Sequence, residues 1–141
     1  MKGRVLFRTA SPSAMLRLAR LWAVGWAVFL LTLTSWPSPP RVPIFSGIPH
    51  FDKLVHFVLY AAQAFLIYGA VRWQGRSGFS LARALVVVGA MAVWGVADET
   101  HQAWIPGRSM EAGDVAADVV GAAGGALLGS AWSARRRAVS P

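Results

Sequence analysis

Four long runs of hydrophobic residues dominate the chain, and most polar residues lie between them. A helix rises about 1.5 Å per residue and the hydrocarbon core of a bilayer is about 30 Å thick, so a spanning helix needs about 20 residues. The first run reaches that length only by extending back past Arg17 and Arg20, whose side chains can snorkel to the interface. The four runs predict transmembrane helices over about residues 14–36, 54–72, 84–104 and 115–134.

The third run carries the most informative departure from this pattern. Its purely apolar part covers only residues 84–97, which is too short to cross a bilayer. It spans only if it continues through Asp98, Glu99 and Gln102. A charged group in a membrane helix costs about 2.5–3.5 kcal/mol on insertion scales, so such groups usually face the bundle interior and pair there.

Short connections join the four runs and fix their relative directions. Pro37 ends the first helix, and Pro106-Gly107 marks a turn before the fourth. Because short connections join antiparallel neighbours, the predicted fold is an all-α, up-down bundle of four transmembrane helices. The segment after the first run reads Ser35-Trp36-Pro37 and lacks a small-residue cleavage site, which favours an uncleaved helix over a signal peptide.

Composition supports a membrane protein and argues against several other classes. Hydrophobic residues make up 55% of the chain and charged residues 14%, whereas soluble domains carry about 25% charged residues. The net charge of +8 is spread over clusters between the apolar runs, so nucleic-acid binding is not predicted. Cysteine is absent, which excludes a disulfide framework, a thiolate metal site and a cysteine nucleophile.

Basic residues fix the expected orientation. Of the 14 Lys and Arg residues, all but Arg41, Lys53 and Arg108 fall on one side of the predicted bundle. By the positive-inside rule, both termini are predicted to be cytoplasmic, with basic tails over residues 1–13 and 135–141. The predicted localisation is therefore multi-pass in the bacterial inner membrane.

Acidic residues gather at the opposite, outer end. Residues four apart share a helix face, and this spacing joins polar residues on helices two, three and four. An excess of carboxylates at close quarters indicates a bound cation, a cationic ligand or protonated acids. The residues predicted to line this outer polar pocket are Asp52, Lys53, His56, Tyr60, Asp98, Glu99, His101, Gln102, Arg108, Asp114 and Asp118.

Within this group, Lys53 and Arg108 are predicted to pair with Asp98, Glu99 and Asp114. The stripe of helix four that carries Asp118 continues as a small-residue face, which would let a neighbouring helix backbone approach closely. The predicted packing positions are Gly121, Gly125 and Gly129.

Several of these residues also have a purely structural interpretation. Asp52 and Asp114 stand where they could cap helices two and four. Glu111 and His50 are expected to be solvated loop residues, and Arg108 could simply brace its loop. Asp98, Glu99 and Asp118 resist such an interpretation best, since the spans are too short without them.

Three kinds of chemistry fit this inventory. The candidate ligands for a divalent metal are His56, Asp98, Glu99 and Asp118, since imidazole and carboxylates suit such ions, but no ligand spacing is diagnostic. Paired carboxylates could instead act as acid and base on a lipid-linked sugar or phosphate. A proton or ion path is the weakest hypothesis, because only Gln63 lies near the predicted midplane.

The motifs resemble those of the VanZ-like family over about residues 20–132. The resemblance rests on Asp52-Lys53-x-x-His56-Phe57 with Tyr60, on Asp98-Glu99-x-His101-Gln102, and on Pro106-Gly107-Arg108-Ser109 followed by Asp114. The family commonly has Asn where this chain has Asp118, which adds a charge here.

The resemblance implies a small bacterial inner-membrane protein of the cell envelope, in a family whose founding member is associated with teicoplanin resistance. The expected function is binding of an envelope ligand in the outer polar pocket; the alternative is a metal-assisted intramembrane enzyme acting on a lipid-linked phosphate or sugar headgroup. The family is not an established enzyme class, so catalysis is left open. No cofactor is predicted, although a divalent metal would fit. The expected partners are membrane lipid and a lipid-linked cell-wall precursor or another envelope component, and a homo-oligomer is left open.

Overall fold

The residues that the structure describes form four helices in sequence and no strand. The computed structural model describes residues 11–37, 47–71 and 79–139. The predicted all-α class and the four membrane-spanning helices are confirmed, since each helix is long and apolar enough to cross a bilayer. The helices are α1 (Pro12–Thr34), α2 (Phe51–Ala70), α3 (Leu81–Gln102) and α4 (Ala112–Val139).

Each helix begins a few residues before the range given by the apolar runs, because polar residues at its start belong to it. The Ser11 side chain accepts a hydrogen bond from the Ala14 N–H and caps α1, and Ser80 caps α3 in the same way. Helix α4 continues past its apolar run into Arg135 and Arg136, since Arg and Ala are good helix formers.

Several of the basic residues on which the predicted orientation rests lie outside the described residues. The cytoplasmic placement of both termini therefore stays a prediction. The residues that are not described include most of the N-terminal tail, the end of the C-terminal tail, and much of the first two loops with their arginines. The basic residues there are Lys2, Arg4, Arg8, Arg41, Arg72 and Arg76.

Helices α2 and α4 form the most extensive contact in the bundle, and glycines make it close. A Cβ added at Gly121 or Gly125 would collide with the backbone carbonyl of Phe57 or Ala61 on α2. At Gly129 an added Cβ would lie 2.8 Å from Cβ of Tyr68. Gly121 and Gly125 therefore lie where two helix backbones approach too closely for any side chain, and Gly129 leaves room for the Tyr68 side chain.

Helix α1 packs mainly on α2 and only slightly on α3. The Trp26 indole N–H donates to the Leu59 carbonyl at 3.0 Å, and the Arg20 guanidinium donates to the Ala70 carbonyl at 3.3 Å. Both bonds tie side chains of α1 to the backbone of α2. Helix α1 is consequently an edge helix, whereas α4 lies between α2 and α3.

Candidate functional site

The antiparallel order of the helices brings one set of ends together. The carboxyl ends of α1 and α3 meet the amino ends of α2 and α4, and we call this the polar end of the bundle. All six acidic residues of the chain belong to it. Five polar or charged side chains at this end are at most 4% exposed, and two of them, Glu99 and Asp118, are fully buried.

Asp98 joins three helices at the polar end. Its Oδ1 accepts a hydrogen bond from the Thr34 hydroxyl on α1 at 2.8 Å. Its Oδ2 accepts from the Tyr60 hydroxyl on α2 at 3.2 Å and from Nε2 of Gln102, on its own helix, at 3.3 Å. The carboxylate is thus stabilised by three neutral donors rather than by a base.

Thr34 is the one member of this network that the sequence analysis missed. It is 3% exposed and lies in the last turn of α1, at the level of Asp98. A hydroxyl near the end of an otherwise apolar run is common in membrane helices, where it can bond its own backbone, so its presence alone gave no signal. Only the three-dimensional position of Asp98 identifies its partner.

Gln102 connects the buried acids to Arg108. Its Nε2 donates to Oε1 of Glu99 at 3.1 Å as well as to Asp98, and its Oε1 accepts from the Arg108 guanidinium. The predicted direct pairing of Arg108 with the acids is therefore replaced by an indirect one through an amide. A glutamine serves here because it can donate to carboxylates and accept from a cation at the same time.

Glu99 links the end of α3 to the start of α4. Its Oε2 accepts a hydrogen bond from the backbone N–H of Glu111 at 2.9 Å. Glu111 was expected to be a solvated loop charge. Its side chain is indeed exposed, but its backbone holds Glu99 and its carboxylate contacts Lys53, so it belongs to the site.

Lys53 lies at the centre of an outer group that we call the rim. Its ammonium is 2.7 Å from Asp52, 2.8 Å from Glu111 and 2.9 Å from Asp114. The predicted pairing of Lys53 with Asp114 is present, with two further carboxylates beside it. An added Cβ at Gly113 would lie 2.8 Å from Cε of Lys53, so the missing side chain leaves room for the lysine.

The remaining predicted residues occupy different positions at the polar end. His50, not Asp52, occupies the N-cap position of α2, with a left-handed φ of 57° and no side-chain cap. Asp52 and Asp114 lie instead in the first turns of their helices, where a carboxylate interacts favourably with the helix dipole. His101 is exposed and lies with Asp98 along a groove between α1 and α3.

His56 and Asp118 form the deepest pair of the site. The His56 Nδ1 and the Asp118 Oδ1 are 3.0 Å apart, a hydrogen bond between α2 and α4. The His56 ring also stacks near the Tyr60 ring, with 6.4 Å between centroids. The Asp118 carboxylate therefore contacts an imidazole directly.

In the part of the chain that the structure describes, two groups of side chains bring their ligand atoms within 4.8 Å of one another, as metal ligands must. One consists of Asp52, Glu111 and Asp114, and the Lys53 ammonium already contacts all three. The other is the buried set His56, Glu99 and Asp118. Asp98, a predicted ligand, belongs to neither group.

Comparison with protein families gives a match over most of the chain. The model of the VanZ/LLP1 family matches residues 7–133, which is most of the chain. No curated protein and no solved structure matches it.

Proposed function

Because the chain belongs to the VanZ/LLP1 family and has four membrane-spanning helices, we propose that the polar end of this membrane protein binds an envelope ligand that carries an amine and a phosphate. The supporting observation is the charge balance of the polar end. Among the described residues, this end contains six carboxylates and two permanently charged basic side chains, those of Lys53 and Arg108. In the bacterial inner membrane such an end attracts cationic groups.

The rim supplies the contacts for such a ligand. Asp52 and Glu111 are exposed, and their carboxylates share a single ammonium with Asp114, so each keeps lone pairs for a further donor. Arg108 is half-buried and its guanidinium has five N–H donors, of which Gln102 accepts from one nitrogen. An amine would bind the carboxylates and a phosphate would bind Arg108.

A lipid anchor fits the same end of the bundle. The groove between α1 and α3 is lined by apolar residues together with Asp98 and His101. An acyl chain lying there would run beside Asp98 and His101 at the polar end of the bundle. The ligand class we favour is accordingly an aminophospholipid or a lipid-linked wall precursor rather than a free solute.

We expect phosphatidylethanolamine to raise the melting temperature of the purified protein in detergent by several degrees more than phosphatidylglycerol does. Both lipids carry a phosphate, but only the former has an amine for the carboxylates of Asp52 and Glu111. Ligand at about 100 times its Kd stabilises a protein by about 2.7 kcal/mol, which a melt resolves. Tryptophan fluorescence follows the melt, since the chain has seven tryptophans.

Substitutions at the rim and at Arg108 distinguish the contact with the amine from the contact with the phosphate. The Asp52→Asn/Glu111→Gln double variant should lose the preference for phosphatidylethanolamine and keep the response to phosphate. Arg108→Gln should weaken the response to both lipids. Equal shifts by the two lipids in the unchanged protein, or a preference that survives in the double variant, would contradict the proposal.

The proposal extends to glycopeptide resistance, as the family resemblance suggests. If the ligand is a wall precursor, expression in a susceptible host should raise the minimal inhibitory concentration of teicoplanin. The Asp52→Asn/Glu111→Gln variant, expressed at the same level, serves as the control. If the control variant raised the minimal inhibitory concentration equally, resistance would not depend on the rim carboxylates.

A further inference from the structure

The buried set of His56, Glu99 and Asp118 has the composition of a metal site. It takes one side chain from each of α2, α3 and α4, and the ligand atoms lie within 4.8 Å of one another. Glu99 and Asp118 are 0% exposed and His56 is 7% exposed. One imidazole with two carboxylates is a donor set that divalent transition metals accept.

An unpartnered atom points to the same place. Oδ2 of Asp118 is fully buried and has no hydrogen-bond partner among the described residues. Such atoms are rare, because an unsatisfied buried acceptor is costly. Oδ2 faces α3 at Gly95, one turn before Glu99, where an added Cβ would lie only 3.1 Å from it. The free lone pairs of Asp118 therefore face the helix that carries Glu99.

We propose that His56, Glu99 and Asp118 bind one divalent transition-metal ion, Zn²⁺ or Mn²⁺, inside the polar end. Two ligands with bonds of about 2.1 Å lie about 3.4 Å apart around a tetrahedral ion. The 3.0 Å between His56 Nδ1 and Asp118 Oδ1 is close to that spacing. When the ion takes the Nδ1 lone pair, the imidazole proton resides on Nε2, and a carboxylate oxygen of Glu99 would supply the third protein ligand.

The surroundings orient these ligands as metal sites require. Glu99 is held through Oε1 by Gln102 and through Oε2 by the Glu111 backbone, and each oxygen keeps a further lone pair. Asp98 is engaged by three donors and lies outside the set. The rim acids surround the Lys53 ammonium, which already supplies a cation there. The metal site is thus separate from the rim and does not depend on lipid binding.

The test uses the full chain in detergent, stripped with a chelator and dialysed. Isothermal titration should give one Zn²⁺ or Mn²⁺ per chain, and the melting temperature should rise at about 1 mM ion. Mg²⁺, which prefers all-oxygen octahedral sites, should give no comparable shift. Glu99→Gln and Asp118→Asn should each weaken binding at least about tenfold. Asp98→Asn, the matched control, should bind like the unchanged protein.

A spectroscopic measurement covers the case in which a ligand variant fails to fold. X-ray absorption of the unchanged protein loaded with Zn²⁺ should show oxygen and nitrogen ligands at about 2.0–2.2 Å with scattering from a single imidazole. The proposal is overturned if neither ion binds, if Mg²⁺ binds as well, if Asp98→Asn loses as much affinity as Glu99→Gln, or if no imidazole is detected.

Discussion

Replacing Gly125 by alanine should destabilise the bundle by about 3 kcal/mol, at the upper end of the range for overpacking. The added methyl group would collide with the Ala61 carbonyl, a backbone atom that cannot rotate away. The two helices would have to separate along the largest contact of the protein. Unfolding by SDS titration, followed by circular dichroism, measures the loss.

Gly124, the preceding residue, provides a matched control. A Cβ added there would meet nothing within 4 Å, so Gly124→Ala introduces the same methyl group into open space. We expect its stability to stay within about 1 kcal/mol of the unchanged protein, with any gain due to the helix propensity of alanine. Similar losses of stability in the two variants would show that the effect at Gly125 does not come from the close approach of α2.

Replacing Asp98 by alanine should cost about 2–4 kcal/mol, since three hydrogen bonds from three helices are lost together. Interhelical hydrogen bonds in membrane proteins contribute about 0.6 kcal/mol each on average and up to about 1.7. The donors left behind, on Thr34, Tyr60 and Gln102, also become harder to satisfy in a buried place. The same SDS titration gives the magnitude.

Threonines on α1 allow one of these bonds to be isolated. Thr34→Val removes the bond to Asp98 together with the bonds of the hydroxyl to the Leu30 and Leu31 carbonyls of its own helix, and it should cost about 0.6–1.7 kcal/mol. Thr32→Val is the control, because the Thr32 hydroxyl is bonded to the Val28 carbonyl of its own helix and is exposed. If the two valine variants were equally stable, the link between Asp98 and α1 would contribute nothing.

The architecture of the chain could be predicted from its sequence because the hydrophobic runs and their lengths leave few alternatives. The requirement that α3 include Asp98 and Glu99 followed from bilayer thickness alone. The ends of the helices were harder to predict, because capping residues such as Ser11 and Ser80 are polar and lie outside the apolar runs.

Partners within the site could not be predicted in the same way. Spacing along one helix placed Asp98 and Gln102 on a common face, and the structure joins them. Which base meets which acid depends on the rotation of each helix, which a sequence pattern leaves free. For this reason Arg108 was predicted to pair with a carboxylate, whereas it contacts the amide of Gln102. The bond from Thr34 to Asp98 was missed for the same reason.

The edge position of α1 has a consequence for how the buried acids exchange with their surroundings. Helix α1 contacts α3 only slightly, and the groove between them already contains Asp98. Tilting α1 away from α3 would break few contacts besides the bond from Thr34, whereas separating α2 from α4 would disrupt the glycine contacts. The contact between α1 and α3 is therefore the easiest one to separate, and its separation would give a hydrophobic molecule a route to Asp98 from the hydrocarbon without first passing through water.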